Sequence, residues 1–460
     1  MSEVKNVKRT YIHNRQDLLD YFFQGCKPPE YWRIGVEVEK LVVDIGTAKA
    51  APFEAIEKLL LKLESSGHWK GVRENGHLIA LQGGLSSITL EPGGQLELSG
   101  QLCPDVHCCF NNFCHHIETI LKDAVPLGLT FLGLGVQPFS TLEEINWLPK
   151  NRYNIMAPYM LRAGTTGQRM MKQTAGIQLN FDYEDEADCM AKMRICQALA
   201  PLLYAWSANS PIMEGKPTGF LNTRREIWSK TDPQRTGLIH ELFKPGAGFD
   251  TYIDYALDIP MYFIFRDNSY LDLTKKPLRF RHFLEEGFEG HQATLHDWAL
   301  HLSTLFPETR LRPQIEIRSL DSLPPRISLS FAALCKGILY DREARELSWG
   351  LLRHQNRESR EELLEKASRM GLKAPFGNRT LRELALEVLE LARMGLKRQG
   401  TLNEDGEDET VFLGKIEEIA RSGETLAERL LKEWQGTTGD KVALLHRHCG
   451  FDYCPDSGDA

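Results

Sequence analysis

Apolar residues recur every three to four positions in several long segments of the chain, and this period predicts amphipathic helices. The clearest segments are residues 18–23, 53–63, 105–124 and 187–206. The same period runs through much of 328–432, so the last third of the chain is predicted to be mainly helical.

Strict alternation between apolar and polar residues marks other segments in the first two thirds of the chain. In the first of them, Ile34, Val36 and Val38 point to one side of a strand. Glu37 and Glu39 point to the other side. A strand of this kind belongs to a sheet with one face on the core and one face open. The pattern predicts an α+β fold with a largely antiparallel sheet.

The same alternation returns in residues 87–98, 177–181 and 314–318, and it collects polar side chains on the open face of the predicted sheet. These side chains are Glu37, Glu39, Glu91, Glu97, Gln178, Asn180, Glu316 and Arg318. So many like charges are costly to hold together unless cations neutralise them. Hard oxygen ligands of this kind select magnesium or manganese over zinc.

A solvated polar face is the ordinary alternative, because glutamates on one isolated strand are usually just surface residues. The repetition of glutamates on several strands favours a functional site over a solvated surface. Glutamate is a poor strand former, and here it recurs in segments otherwise rich in valine, isoleucine and leucine.

A long segment marked by glycine and proline, residues 209–237, carries three arginines. Long loops in compact domains often cover active sites, and arginine suits a two-point grip on phosphate or carboxylate. Such contacts are predicted for Arg224 and Arg235, whereas Arg225 is expected to pair with Glu226. The chain has neither a GxxxxGK[ST] loop nor a strand-associated GxGxxG element, so a nucleotide would need arginines and metal-bridged phosphates.

Composition indicates one large globular unit of 460 residues, with 42% hydrophobic and 26% charged residues. With no repeat or long linker, a single domain is predicted over 1–460, with a sheet core at about 30–340 and a helical portion at about 341–445. The acidic stretch 403–409 is interpreted as a solvated loop.

The net charge of −8 argues against nucleic acid as a partner, and the chain has no apolar run long enough to span a membrane. The first ten residues lack a secretory segment, so a cytoplasmic location is expected.

Ten cysteines follow no disulfide-scaffold spacing, and most are interpreted as buried thiols in a reducing compartment. The cluster of histidines and cysteines at 107–109 and 114–116 leaves a zinc site as an alternative. The favoured interpretation is a helix over 105–124 whose small cysteines fill gaps on its buried face.

Several motifs together resemble one family, the plant-type glutamate–cysteine ligases. They include RIGVEVEK at 33–40, LEPGGQLELSG at 90–100 and ANSPIMEGKPTGFLNTRREIW at 208–228. The resemblance implies a fold similar to the catalytic domain of glutamine synthetases, in which a curved antiparallel sheet surrounded by helices forms a bowl lined with carboxylates.

The resemblance also implies roles for particular residues. Those matching the family's magnesium positions are Glu37, Glu39, Glu91, Glu97, Glu316 and Gln178. Three arginines, Arg318, Arg224 and Arg235, match catalytic positions that hold phosphates or glutamate, and Asn180 is assigned with Arg224 and Arg235 to the nucleotide.

The implied reaction joins the side-chain carboxylate of glutamate to the amine of cysteine with ATP and Mg²⁺ or Mn²⁺, through γ-glutamyl phosphate. This reaction is the first step of glutathione biosynthesis. The expected assembly is a monomer or a homodimer.

The chain departs from the family's pattern at several positions. Val38 replaces a histidine, and residues 317–321 read Ile-Arg-Ser-Leu-Asp where plant members have Met-Arg-Gly-Ala-Asp. Phe110 and Leu329 stand where plant enzymes have the cysteines of a redox switch, so no such switch is expected.

Three alternatives stay open at this point. A related ligase could activate glutamate for a different amine, and a metal-dependent phosphohydrolase could use the same carboxylates. A non-catalytic metal-binding protein is the third alternative, although the arginine-bearing segment argues against it.

Overall fold

The structure, a computed structural model, describes residues 10–436 and 440–451, and it contains helices where the apolar period predicts them. In this part of the chain the α-helices are α1 (Arg15–Phe23), α2 (Phe53–Ser65), α3 (Val106–Ala124), α4 (Tyr153–Ala163), α5 (Gly167–Gln173), α6 (Glu186–Trp206), α7 (Thr223–Ser229), α8 (Phe249–Leu257), α9 (Phe280–Glu286), α10 (Leu295–Leu302), α11 (Pro325–Ser328), α12 (Ser330–Leu339), α13 (Arg342–Leu352), α14 (Arg357–Met370), α15 (Leu381–Gln399), α16 (Gly414–Ser422), α17 (Leu426–Gly436) and α18 (Lys441–Cys449). The mainly helical last third is confirmed.

The strands lie almost entirely before residue 322. They are β1 (Ile34–Asp44), β2 (Lys70–Glu74), β3 (His77–Gln82), β4 (Ser87–Leu90), β5 (Leu96–Ser99), β6 (Leu129–Leu132), β7 (Gly176–Phe181), β8 (Ile212–Met213), β9 (Lys216–Pro217), β10 (Thr236–Gly237), β11 (Phe263–Arg266), β12 (Ser269–Asp272), β13 (Phe306–Pro307), β14 (Thr309–Leu311), β15 (Ile315–Asp321), β16 (Pro375–Phe376) and β17 (Arg379–Thr380).

The main sheet has nine strands in the order β14-β15-β7-β1-β5-β4-β3-β2, with β6 paired to the far end of β1. The pairs along this path are antiparallel, so the predicted α+β class with a large antiparallel sheet is confirmed. The long strand β1 lies between β5 and β7 and is the centre of the sheet.

The register of β1 brings the predicted polar residues next to one another. Glu39 lies opposite Glu97 on β5, and Glu37 lies opposite Gln178 on β7. On the next strand, Glu316 lies opposite Asn180. Side chains at paired positions share a face of the sheet, so residues from four strands converge on one surface.

The other face of the sheet packs on apolar helices. Val36 and Val38 belong to the main core together with Phe113 and Ile117 of α3. Lys40 follows the same alternation and is therefore completely buried, where its Nζ donates to the carbonyl oxygen of Val38 at 2.9 Å. Burial lowers the pKa of Lys40 to about 7.

The helical last third is joined to the sheet region by shared core residues. The main apolar cluster runs from Ile12 through the sheet to Phe412 and Ile416. A buried ion pair also links the two parts, because Glu409 binds Lys336 on α12 and accepts from the Val106 N–H of α3 at 2.7 Å. This continuity supports our proposal that the chain forms one domain.

The interpretation of residues 403–409 as a solvated loop is wrong at its last residue. Glu409 is fully buried, and it satisfies both a lysine and a backbone donor. Charge density along the sequence does not reveal such a partner, since Lys336 is distant in the chain.

Helix α3 is confirmed, and Asp105 caps it by accepting from the Cys108 N–H at 2.7 Å. The thiol interpretation is wrong for Cys103 and Cys108, which form a disulfide at the start of this helix. It is confirmed for the free, buried cysteines Cys109, Cys189, Cys196, Cys335 and Cys449. Cys454 lies outside the described residues.

Within residues 10–436 and 440–451, no helix is both long and apolar enough to cross a membrane.

Replacing Glu409 by alanine should lower the free energy of unfolding by about 3–5 kcal/mol, because it leaves Lys336 charged and buried without a partner. Urea denaturation measures this change. Asp405→Ala, at an exposed position in the same stretch, is the control and should change stability by less than about 0.5 kcal/mol. The double variant Lys336→Met, Glu409→Leu should recover much of the loss; equal destabilisation in the single and double variants would contradict the assignment.

Candidate active site

A cavity of about 430 Å³ lies against the polar face of the main sheet. The predicted residues that line it are Glu37, Glu39, Glu91, Glu97, Gln178, Asn180 and Arg318. We call it the acid-lined cavity. The structure therefore brings most of the predicted site residues together, as the alternation of the strands requires.

The two glutamates of β1 are held by amide donors from β7. Glu39 accepts from the Gly176 N–H at 2.6 Å and from Gln178 Nε2 at 3.1 Å. Glu37 accepts from Asn180 Nδ2 at 3.1 Å. These bonds fix the carboxyl groups where β1 and β7 meet.

Burial and mutual repulsion raise the pKa of these carboxyl groups. Burial, reinforced by Glu97, raises the pKa of Glu37 to about 7. Burial, reinforced by Glu91, raises the pKa of Glu39 to about 8. The pKa of Glu91 is raised by burial and then by Glu97. Near neutral pH the cavity thus holds fewer negative charges than its number of glutamates suggests.

Glu316 differs from the other predicted metal ligands in its surroundings, and its role stays a prediction. It is fully buried and does not line the cavity, and both of its carboxylate oxygens are bound by arginines. The Arg310 guanidinium contacts it at 2.6 Å and Arg312 at 2.8 Å, and Arg318 is a third partner. Burial alone would raise the pKa of Glu316, but the three arginines hold it well below its usual range.

Arg310 and Arg312 are site residues that the sequence analysis missed. Both line the cavity, and Arg310 lies directly opposite Glu316 in the β14–β15 hairpin. The spacing of two arginines shortly before Glu316 is a signal of this hairpin pair. Arg318 extends the cluster toward the glutamates, since it also donates to Gln178 Oε1 at 2.6 Å.

Arg224 lies immediately behind the cavity wall, although it does not line the acid-lined cavity. It is buried on α7 and donates from both terminal nitrogens to the Arg318 carbonyl oxygen at 3.2 Å. Its guanidinium presses on Gly176, where a Cβ would lie only 2.5 Å from Arg224 Nη2. Arg224 therefore supports Arg318 in the cavity wall and packs against Gly176, whose N–H binds Glu39.

The structure does not bring Arg235 to the acid-lined cavity, although its predicted catalytic and nucleotide-binding roles would place it there. Arg235 is fully buried, pairs with Asp232 at 2.9 Å and lies 3.7 Å from the centre of the Tyr262 ring. Asp232, three positions earlier, neutralises its charge, so Arg235 is a paired residue of the protein core.

The expected pairing of Arg225 with Glu226 is wrong, since Glu226 binds Lys230 instead.

The segment 317–321, which departs from the family pattern, lies mostly behind the surface of the acid-lined cavity. Ser319 and Asp321 are buried, and Ser319 Oγ donates to Glu308 at 2.8 Å. Asp321 accepts from the Asn209 N–H at 2.9 Å and from Ser210 Oγ at 2.7 Å. Of this segment, only Arg318 lines the acid-lined cavity.

Among the described residues, no three or more histidine, cysteine, aspartate or glutamate side chains are arranged closely enough to hold a metal ion. This finding covers both the glutamates of the sheet and the histidine and cysteine cluster of α3. In the acid-lined cavity the carboxyl groups of Glu37, Glu39 and Glu97 accept from side-chain amides and hydroxyls. Asn180 Oδ1, by contrast, is buried without a hydrogen-bond partner, so an oxygen ligand faces the cavity unused.

Comparison with solved structures supports the fold. A glutamate–cysteine ligase from Francisella tularensis, solved in complex with AMP, superimposes with a TM-score of 0.50 at 11% identity, covering 93% of each chain. At this identity the likeness shows the fold alone. A mixed fold with a large antiparallel sheet is thus the architecture that this chain shares with that structure.

Comparison of sequences establishes the family. Residues 33–445 match the Glutamate-cysteine ligase family 2 (GCS2), and the chain belongs to this family. It is 40% identical over 425 residues to the chloroplastic glutamate–cysteine ligase of Medicago truncatula, covering 92% of this chain and 82% of the relative. It is 39% identical over 431 residues to that of Arabidopsis thaliana, covering 93% and 81%. The resemblance found in the motifs is confirmed.

The expected cytoplasmic location is wrong on these comparisons, because the curated relatives are chloroplastic enzymes. That expectation rested on cysteines interpreted as thiols in a reducing compartment, together with the lack of a secretory segment in the first ten residues. The lack of a secretory segment addresses export only and says nothing of other compartments.

In metal-free protein, Glu39→Gln should raise the melting temperature relative to the unmodified chain, by an amount that grows from pH 6 to pH 9. A raised pKa means that Glu39 stabilises the fold fully below its unfolded-state pKa and loses this effect as pH rises through about 8. Thermal unfolding in chelator across this range measures the difference. The control is Glu54→Gln at an exposed position of α2. If the difference in melting temperature between Glu39→Gln and the unmodified chain does not change with pH, the raised pKa assigned to Glu39 is wrong.

Proposed function

We propose that this protein is a glutamate–cysteine ligase. It joins the side-chain carboxylate of glutamate to the amine of cysteine, converts ATP to ADP and phosphate, and so performs the first step of glutathione biosynthesis. The observation that carries the proposal is a single cavity, in a member of this family, with buried carboxyl groups on one wall and an arginine cluster on the other.

The arginine cluster supports phosphoryl transfer from ATP. Such transfer moves negative charge between oxygens, and preorganised cations stabilise it without reorganising during the reaction. Glu316 holds Arg310, Arg312 and Arg318 in fixed positions before any substrate arrives. Arg318 is the best placed to contact the transferred group, because it lines the cavity and also reaches Gln178 on the neighbouring strand β7, beside the glutamates of β1.

The carboxyl wall fits Mg²⁺ by the chemistry of its donors. Glu37, Glu39, Glu91 and Glu97 offer hard oxygens, and the unpartnered Asn180 Oδ1 adds another. Gln178 Oε1 would join them by exchanging its bond from Arg318 for the ion. A bound divalent cation would neutralise the ATP phosphates and favour the charged form of these carboxyl groups. Glu316 is left out of this set because its oxygens are taken by arginines.

The reaction then follows in two steps. The γ-carboxylate oxygen of glutamate attacks the terminal phosphorus of ATP, the bond to ADP breaks, and γ-glutamyl phosphate forms. The cysteine amine attacks the activated carbonyl, a proton is lost from nitrogen, and phosphate leaves. Trp228 and Phe306 line the same cavity and help to exclude water, which would otherwise hydrolyse the acyl phosphate.

The test is phosphate release from ATP with purified protein, first with glutamate alone and then with cysteine or another small amine, while mass spectrometry identifies the peptide. Release should require glutamate, rise with cysteine, yield the γ-linked dipeptide and stop when a chelator removes Mg²⁺. A γ-linked product formed only with another amine would assign a related ligase. Phosphate release that is indifferent to both amino acids would sink the ligase proposal and leave a phosphohydrolase.

Arg318→Ala should lower kcat by about 10²–10³-fold, as expected when a preorganised donor is removed from a transferring group. Arg235→Lys is the matched comparison: it should lower the melting temperature but leave kcat of the folded enzyme within about threefold, because Arg235 lies outside the cavity. Steady-state kinetics with folded protein, verified by circular dichroism, separate the two. If Arg235→Lys lowered kcat as much as Arg318→Ala, Arg235 would have to be counted among the active-site residues.

A further inference from the structure

A separate cavity, of about 350 Å³, lies between the short helix α11 and the helices α16, α17 and α18 near the C-terminal end of the chain. None of the described residues that line it also lines the acid-lined cavity. Its volume falls in the range of small-molecule sites in proteins. The two cavities are therefore independent spaces.

The charge of this cavity is opposite to that of the whole chain. Its lining has one acidic side chain, Glu418, and four basic side chains, which are Arg326, Lys415, Arg429 and Arg447. The sequence as a whole has 55 basic and 63 acidic residues, so the surplus of cations is local to this place. A concave surface lined by one sign of charge concentrates ions of the other sign. We call this space the cationic cavity.

Two of the four cations have no acceptor. Within residues 10–436 and 440–451, the side chains of Lys415 and Arg447 take part in no hydrogen bond or ion pair. Arg429, by contrast, binds Glu418 at 3.3 Å and Glu424 at 3.9 Å, so the acidic residue of the lining is already engaged. The two unpaired cations are thus available to an anion from solution.

The floor of the cationic cavity is apolar. Ile327, Ile419 and Leu426 line it, and all three are buried. A ligand with a carbon body would remove the remaining apolar surface from water, whereas an inorganic ion would leave it wet. The lining therefore favours an organic anion over an inorganic one.

One wall of the cationic cavity is fixed before any ligand binds. Burial, and then Arg429, lower the pKa of His448 to about 4, so its ring is neutral near pH 7. His448 Nε2 donates to Asn209 Oδ1 at 3.0 Å, and the Asn209 N–H donates to Asp321 at 2.9 Å. A wall that is already ordered lowers the entropic cost of binding, because only the two unpaired cations remain to be ordered.

We propose that the cationic cavity binds a small organic anion with two negative charges, such as a phosphate monoester or a dicarboxylate. The charged groups contact Lys415 and Arg447, and the carbon body lies on the apolar floor. Because no lining residue is shared with the acid-lined cavity, this site does not depend on the proposed ligase reaction.

The test is calorimetric titration of the intact chain, free of ATP, glutamate and metal, with phenyl phosphate, phthalate and inorganic phosphate in separate runs. The variant is Lys415→Ala, Arg447→Ala, which breaks no ion pair of the described chain, so the fold should tolerate it. It should weaken binding of the tighter organic dianion by about tenfold or more, since it removes two charge-assisted hydrogen bonds.

The matched control is Lys58→Ala, Arg162→Ala, which removes the same two charges from exposed positions outside both cavities. It should change the affinity by less than about twofold, because exposed charges at a distance are screened by salt. The exchange variant Lys415→Arg, Arg447→Lys keeps both charges and should retain most of the affinity.

In the unmodified chain, at least one organic dianion should bind about tenfold more tightly than inorganic phosphate, because only the organic dianion covers the apolar floor. Tighter binding of phenyl phosphate would assign a phosphate monoester, and tighter binding of phthalate would assign a dicarboxylate. The proposal is overturned if neither organic dianion binds, if inorganic phosphate binds equally well, or if the double alanine variant binds as the unmodified chain does. The last outcome would place the bound anion at the arginines of the acid-lined cavity.

Discussion

The buried contact between Glu316 and three arginines is the constraint on which the rest of the site depends. It lies at the point where β15 joins β7, and it separates a wall of carboxyl groups from a region of positive charge. A carboxylate with so many partners holds these cations at fixed positions in a region that water does not reach. The arginines then serve substrates because Glu316 has already oriented them.

The glutamates that line the cavity, in contrast to Glu316, have no cationic partners that neutralise them to the same extent. They repel one another and are poorly hydrated, so protonation relieves them when no cation is near. The fold tolerates this arrangement because β1 presents a strong apolar face to the helices on its other side. Stability contributed by the core thus permits an electrostatically unfavourable surface at the site, a pattern common in enzymes.

Local periodicity predicted much of this molecule. Alternation in β1, β5 and β7 identified which side chains share a face, and the structure places them around one cavity. What the alternation could not predict was how those side chains pair. Glu316 pairs with Arg310 through the register of the β14–β15 hairpin. Glu409 pairs with Lys336, which lies 73 residues earlier in the sequence. Arg235 shows the same limit, since periodicity did not predict that an aspartate three residues earlier pairs with it in the core.

Gly176 has a consequence for how related chains can vary. A side chain there would collide with the guanidinium of Arg224, and the N–H of the same glycine holds Glu39. Strand and helix meet at this point with no space between them. A homologue with a larger residue at 176 should therefore carry a smaller one at 224, so the two positions are expected to change together or not at all.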